Sequence, residues 1–250
     1  MTHNEAVKVV ETKPIDECRY CLISVPDVGL VGSIALSYII QETEMTEVGY
    51  LESDAYPPVV VIHKGEPKSP FRIYRKDDVI AIISEIPIEL ETLPQTARSV
   101  VDWAETKNVE VLTTLSGIAV QNRLEIETPQ VYSIASSPSV KKIIKDLEIE
   151  VLEEGFLTGL QAIIMKESMK KKVSNLILLA QSHLQYPDPG AAASLIVSLS
   201  SMLGWEIDVE NLLTQEDEIR LQLRELMQRT EQQMLIKQKE REQEIPHMYV

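Results

Sequence analysis

Between residues 109 and 203 the chain alternates short β-branched runs with segments of helix length, and this constrains the fold more than any other feature. Residues 109–115 and 130–135 read as strands, 139–147 as a short helix and 148–151 as a short strand. A helix over 156–171, a strand over 175–181 and a helix over 189–203 complete the series. Strands interleaved with helices in this way form βαβ crossovers, which build a largely parallel sheet covered on both faces. The expected core is a three-layer, mostly parallel α/β domain.

The segments on either side fit that frame. Residues 20–25 read as a short buried strand, closed by Pro26-Asp27 and a glycine-punctuated turn, and 33–42 as a helix with Ile34, Leu36, Tyr38, Ile39 and Ile40 as its apolar bulk. Val59-Val-Val-Ile62, Phe71-Arg-Ile-Tyr74 and Val79-Ile-Ala-Ile-Ile83 are β-rich runs separated by Gly65, Pro67, Pro70 and Lys76-Asp77-Asp78. That spacing predicts a meander of antiparallel strands. Thr92-Leu-Pro94 starts a further helix that runs through Trp103, with proline near the first turn.

After Gly204-Trp205 the character changes: residues 209–243 contain no Gly and no Pro and are rich in Glu, Gln, Arg and Leu. Leu212, Ile219, Leu223, Leu226, Thr230 and Met234 approximate a four-three stripe, the seam of a short coiled coil or of a groove-packing helix. A continuous helix of this length would extend roughly 50 Å, and its distal half is expected to project into solvent. The expected division is an α/β core over residues 1–205 and a helical tail over 206–250.

Composition removes several classes of function. A chain of 250 residues can bury roughly 70–75% of its unfolded surface and needs neither disulfides nor metals to hold a core. With 44% apolar residues it is not a disordered chain. No apolar run approaches the roughly 18 residues of a membrane-spanning helix, and Met1-Thr-His-Asn-Glu-Ala lacks the form of a secretory signal. The expectation is a soluble cytoplasmic protein without a membrane partner. Thirty-nine acidic residues against 24 basic ones give a net charge of -15, the wrong sign for displacing counterions from nucleic-acid phosphates. Lys170-Lys-Lys172 reads as the solvated, cation-favouring end of a helix. Cys18 and Cys21 have the spacing of a redox pair or half a zinc site, but His3, His63, His183 and His247 are scattered singly and supply no second pair. Two thiols three apart on a strand face opposite sides. Both cysteines are expected to be structural, with no metal and no cofactor.

Few motifs point to catalysis. Gly29-Leu-Val-Gly32 follows a strand and precedes a helix, where phosphate loops occur. It lacks the third glycine of the dinucleotide fingerprint and the Gly-Lys-Ser/Thr of a P-loop. Gly29 and Gly32 are candidates for an anion pocket, while glycine there also serves close helix–strand approach. Gly155-Phe-Leu-Thr-Gly159 repeats the arrangement. In Pro187-Asp-Pro-Gly-Ala-Ala-Ala193, Asp188 reads as a helix N-cap and Pro189 as a first-turn residue. Ser116-Gly117 is not a nucleophile elbow. Glu85, Glu89 and Glu91 cluster near the end of a strand, where α/β active sites gather, yet glutamate is frequent throughout. The terminal Met248-Tyr249-Val250 is different in kind: an adaptable apolar side chain, an aromatic ring and a free carboxylate follow a helix and a breaker, Pro246, as a docking tip would.

Four segments resemble the archaeal members of the proteasome-assembly chaperone family. They are Pro26-Asp-Val-Gly-Leu-Val-Gly-Ser-Ile-Ala35, Gly155-Phe-Leu-Thr-Gly-Leu160, Tyr186-Pro-Asp-Pro-Gly-Ala-Ala192 and Met248-Tyr-Val250. The resemblance implies an α/β core similar in arrangement to nucleoside phosphorylases, and a non-enzymatic chaperone or adaptor that self-associates, as a tetramer or pentamer. Met248, Tyr249 and the Val250 carboxylate would dock on proteasome α-subunits or the α-ring, the carboxylate pairing with a pocket lysine. Two alternatives stay open: an activator that opens the gate of the mature proteasome, and a small-molecule enzyme, phosphorylase or ATP-grasp-like, built on the Gly29–Gly32 loop.

Overall fold

The apolar run Tyr20–Ser24 is buried at every position, as a strand covered on both faces must be, and it lies in the middle of the sheet. The computed structural model describes residues 6–244. In chain order its strands are Lys8–Glu11 (β1), Tyr20–Ser24 (β2), Thr46–Glu52 (β3), Val61–His63 (β4), Glu66–Lys68 (β5), Phe71–Lys76 (β6), Val79–Ser84 (β7), Val111–Ala119 (β8), Val131–Ala135 (β9), Glu150–Val151 (β10) and Asn175–Ser182 (β11). The helices are Val31–Glu42 (α1), Leu93–Thr106 (α2), Pro138–Asp146 (α3), Leu160–Lys171 (α4), Pro189–Leu203 (α5), Glu210–Thr214 (α6), Glu216–Gln222 (α7) and Arg224–Glu244 (α8).

Nine strands form one sheet in the order β1-β3-β6-β7-β2-β8-β11-β9-β10. Its centre, β7-β2-β8-β11, is parallel, while β1, β3 and β6 add an antiparallel flank. This is the α/β core expected; of the predicted antiparallel meander, the 71–74 and 79–83 runs pair as β6 and β7, whereas the 59–62 run falls outside this sheet and β1 and β3 fill the flank instead. The other flank departs from pure βαβ order, because β9 runs antiparallel to β11 and parallel to β10. The strands β4 and β5 stand apart as a hairpin.

Alternate side chains of the central strands feed two cores. Tyr20, Leu22, Ala81, Leu115 and Leu178 face α1, α3 and α5. Cys21, Ile23, Ile80, Ile82 and Leu112 face α2 and α4. Both cysteines lie in that second core, rather than on opposite faces, because Cys18 precedes the strand. Burial pushes both thiols up in pKa, as expected of inert structural residues.

Two helices differ from the sequence reading. The helix expected from residue 156 starts at Leu160, because Gly159, at φ 77, leads the chain into it in a conformation other residues avoid. Phe156 consequently sits in a loop and is fully exposed. The tail is three helices rather than one, broken at Gln215 and Leu223. The tail lies over the core, where Leu212 and Met227 are buried and Ile219, Leu223, Leu226 and Met234 pack against the α1/α5 side. Among the described residues no helix is long and apolar enough to cross a membrane.

Candidate functional site

Open α/β sheets hold ligands at the carboxyl ends of their strands. Here that edge is formed by three loops that follow the adjacent strands β2, β8 and β11. Asp188 ties them together. Its main-chain N–H donates to the Gly29 carbonyl at 2.9 Å, reaching the first loop. Its carboxylate receives Arg123, from the second loop, through Nε at 2.7 Å and Nη2 at 2.8 Å. It also accepts the main-chain N–H of His183 at 3.1 Å, in the third loop, and that of Ala191 at 3.0 Å, which caps α5. Asp188 is wholly buried and Arg123 nearly so.

The carboxylate thus accepts four hydrogen bonds, and Arg123 spends its remaining reach on the Ile126 carbonyl at 2.7 Å. A carboxylate whose four acceptor positions are filled in this way holds loops together and has no free lone pair to offer a ligand. Beside it, Ser116 on β8 donates to the Asp27 carboxylate. Burial holds the His183 imidazole below its ordinary pKa, against the pull of Asp188 and with help from Arg123.

The two glycines singled out in the sequence pack against protein. Gly29 takes φ 61, and a Cβ there would overlap Ser182 Oγ. A Cβ on Gly32 would overlap the Leu115 carbonyl oxygen. That packing is a close approach of the β2–α1 turn and α1 to β8 and β11. Glu85 is drawn away from its neighbours in sequence: its carboxylate receives Arg72 and lies 3.0 Å from His63 Nε2, while Glu89 and Glu91 are exposed. Among the described residues no group of His, Cys, Asp or Glu could hold a metal ion.

Exposed apolar side chains are the more prominent surface feature. Leu124, Leu184 and Tyr186 stand exposed on the loops that Arg123 and Asp188 fix. A groove of about 450 Å³ runs along α5, lined by Leu147, Ile149, Ser194, Val197 and Leu213. Ser194 and Ser198 turn their hydroxyls back to carbonyls four residues earlier and so present carbon to it. The hairpin β4–β5 carries Val60 and Ile62 in the open. Sequence patterning missed Arg123, which has no motif around it. It also missed the exposure of the Val59-Val-Val-Ile62 run, which reads like any core strand. Met248, Tyr249 and Val250 lie outside the described residues, and α8 is the element that leads to them.

The loops tied by Asp188, the mixed sheet and the helical tail define an α/β fold of one recognisable class. The chain belongs to the PAC2 family, which it matches over residues 21–227. It is similar to the crystal structure of Pyrococcus furiosus PbaA, described as an archaeal homolog of proteasome-assembly chaperone, at 29% identity and a TM-score of 0.85 over 90% of this chain and 98% of that one. An uncharacterized protein of Methanocaldococcus jannaschii is 29% identical over 89% of this chain and 91% of its own length. Pyrococcus furiosus PbaB, described as an archaeal proteasome activator, shares the fold at 20% identity, with a TM-score of 0.74 over 88% of this chain and 98% of its own.

Proposed function

We propose that this protein is a non-enzymatic proteasome-assembly chaperone of the cytoplasm that binds proteasome α-subunits through its C-terminal Met248-Tyr249-Val250. The observation that carries the reading is the similarity to PbaA along nearly the whole of both chains, at an identity that extends beyond fold alone. The Arg123–Asp188 pair supports it, because both side chains hold together the loops at the usual ligand edge of the sheet. The chain is divided in this reading into a core, residues 1–205, and a tail, 206–250, that delivers the triplet.

Met248 and the Tyr249 ring fill an apolar groove between α-subunits, and the Val250 carboxylate pairs with a lysine. A charge-assisted hydrogen bond partly shielded from water contributes roughly 1.5–3 kcal/mol, or about 10- to 150-fold in affinity. Single triplets bind weakly, so the protein works as a homo-oligomer, a tetramer or pentamer, whose tails act together. The test is capture of purified α-subunits by three proteins: the intact chain, one lacking Met248–Val250, and one extended by a few residues after Val250. Capture by the intact chain and its loss in both variants is expected. Equal capture by the extended protein sinks the carboxylate anchor, and equal capture by the truncated protein sinks the tail as the docking element.

A further inference from the structure

The hairpin β4–β5 has one face turned to the body of the protein and one turned away. Along residues 60–63 exposure alternates: Val60 and Ile62 are 62% and 63% exposed, while Val61 and His63 are half-buried. On the inner face His63 reaches the Glu85 carboxylate at 3.0 Å, and Lys68, across from Val61, lies 3.6 Å from Glu47. The outer face carries Val60, Ile62 and Pro67, which pairs with Ile62. The hairpin does not invite a further strand, because the Val59 N–H is bonded to the Pro57 carbonyl at 2.7 Å and Pro67 has no N–H to give. What it offers is a small apolar knob. Its root is fixed: Tyr56 stacks on Phe71 with ring centroids 4.1 Å apart and hydrogen-bonds Thr96 at 3.0 Å, and Pro57-Pro58 stiffens the chain that follows. A preorganised knob loses little entropy when it is bound.

The groove of about 450 Å³ along α5 is its complement in form and in charge. Its walls are apolar, and Val197 and Leu213 stand exposed in them. Among the described residues that line it, only Glu127 and Glu148 are charged. Residues 57–68 carry two lysines, 64 and 68, against the single Glu66, so the hairpin is locally positive in a chain of net charge -15. Knob and groove also lie on opposite flanks of the sheet. The hairpin is anchored at β6 and β7, through Phe71 and Glu85, and the groove is built beside β9 and β10. From β6 to β9 the strand order counts five spacings, about 24 Å at roughly 4.8 Å each. The hairpin of one chain is therefore out of reach of its own groove.

We propose that the hairpin β4–β5 of each copy seats Val60 and Ile62 in the α5 groove of the next copy, with Lys64 towards Glu127 and Glu148. This rests on the reading of the protein as a homo-oligomer and names the contact. Two different surfaces meet in it, so the contact is head-to-tail, and such a contact closes into a ring when its rotation allows. A ring of four or five copies leaves no knob and no groove unfilled. Burying exposed apolar side chains favours it, and the lysine meets carboxylates where the rest of the two acidic chains repels. A ring also relates all copies by one rotation axis, so every tail emerges on the same side, as joint docking on one partner ring requires.

The test uses the full chain. Ile62→Cys protein mixed with Val197→Cys protein and treated with a short bismaleimide should give a covalent dimer, and neither variant alone should give one. The native cysteines are both buried and do not compete. A chain carrying both substitutions should yield a ladder that stops at the full ring. Ile62→Asp, at an exposed position, should leave thermal unfolding unchanged and weaken self-association at least tenfold. Light scattering on the unmodified protein separates the two ideas. A 28.2 kDa species at micromolar concentration overturns the homo-oligomer and this contact together. An oligomer in which the mixture does not cross-link, or in which Ile62→Cys links to itself, overturns the hairpin–groove contact and leaves the homo-oligomer standing. An oligomer lost on removing residues 245–250 and indifferent to Ile62→Asp gives the groove to the chain's own terminus and likewise overturns the contact.

Discussion

Removing the Arg123 guanidinium would leave the Asp188 carboxylate, wholly buried, without its counter-charge. Breaking one side of a buried pair costs about 3–5 kcal/mol, so Arg123→Met is expected to lower stability by that much in urea unfolding. Adding Asp188→Asn should recover part of the loss, because the amide still caps Ala191 while the stranded charge is gone. A second consequence concerns pH. The His183 imidazole is held below its ordinary value by burial, so the folded chain carries it neutral while the unfolded chain binds a proton as pH falls through about 6.5. Its contribution is full above that pH and lost below it. The urea midpoint should fall between pH 7.5 and pH 5.5, and His183→Gln, which retains the main-chain donor to Asp188, should flatten that fall. The sequence announced Asp188 through its neighbours Pro187, Pro189 and Gly190, since capping is local chemistry. Arg123 was illegible for the opposite reason, as its partner lies 65 positions away and only the fold brings them together. Gly29 and Gly32 were legible as close-approach residues, and the structure supplies the atoms they approach.

Elements written by their own residues were read correctly, and elements decided by their surroundings were not. α5 is Pro189–Leu203 in both sequence and structure, because a capping Asp, a first-turn proline and a terminal Gly204 at φ 67 mark its ends locally. Residues 209–243 carry no Gly or Pro, so nothing local forecast the breaks at Gln215 and Leu223. They lie in a tail that rests on the core through Leu212 and Met227. The reversed direction of β9 was hidden likewise, because a strand's residues do not state which neighbour it will pair with. Packing also predicts the result of cutting the tail. Leu212 and Met227 are each 2% exposed, and fully burying such a side chain contributes about 1.5–3 kcal/mol. A chain ending at Trp205 should still unfold cooperatively, with its stability reduced by about 3–6 kcal/mol. A chain ending after Met234 should keep nearly all of it. Chemical denaturation of the two truncations makes the comparison, and equal midpoints would mean that the tail's apolar stripe contributes nothing to the core.

At the scale of the whole molecule, the proposed function makes the docking tip and the assembly that multiplies it inseparable, and that coupling would have a measurable form. Each tail supplies one triplet whose affinity alone is weak, while tethering several to one particle raises the effective concentration of the rest to around millimolar. Binding strength should then depend on the number of intact tails per particle more steeply than in proportion. Mixed oligomers provide the gradient. Unfolding and refolding the intact chain together with a chain lacking Met248–Val250, in set ratios, should give particles with a graded number of tails, since the truncation leaves residues 6–244 and their contacts in place. If tails act together, replacing half of them should reduce α-ring capture far more than twofold, because particles retaining one tail lose the avidity of 10²–10⁴ that multivalency brings. If capture falls only in proportion to the missing tails, each subunit binds independently, and the oligomer serves some purpose other than avidity.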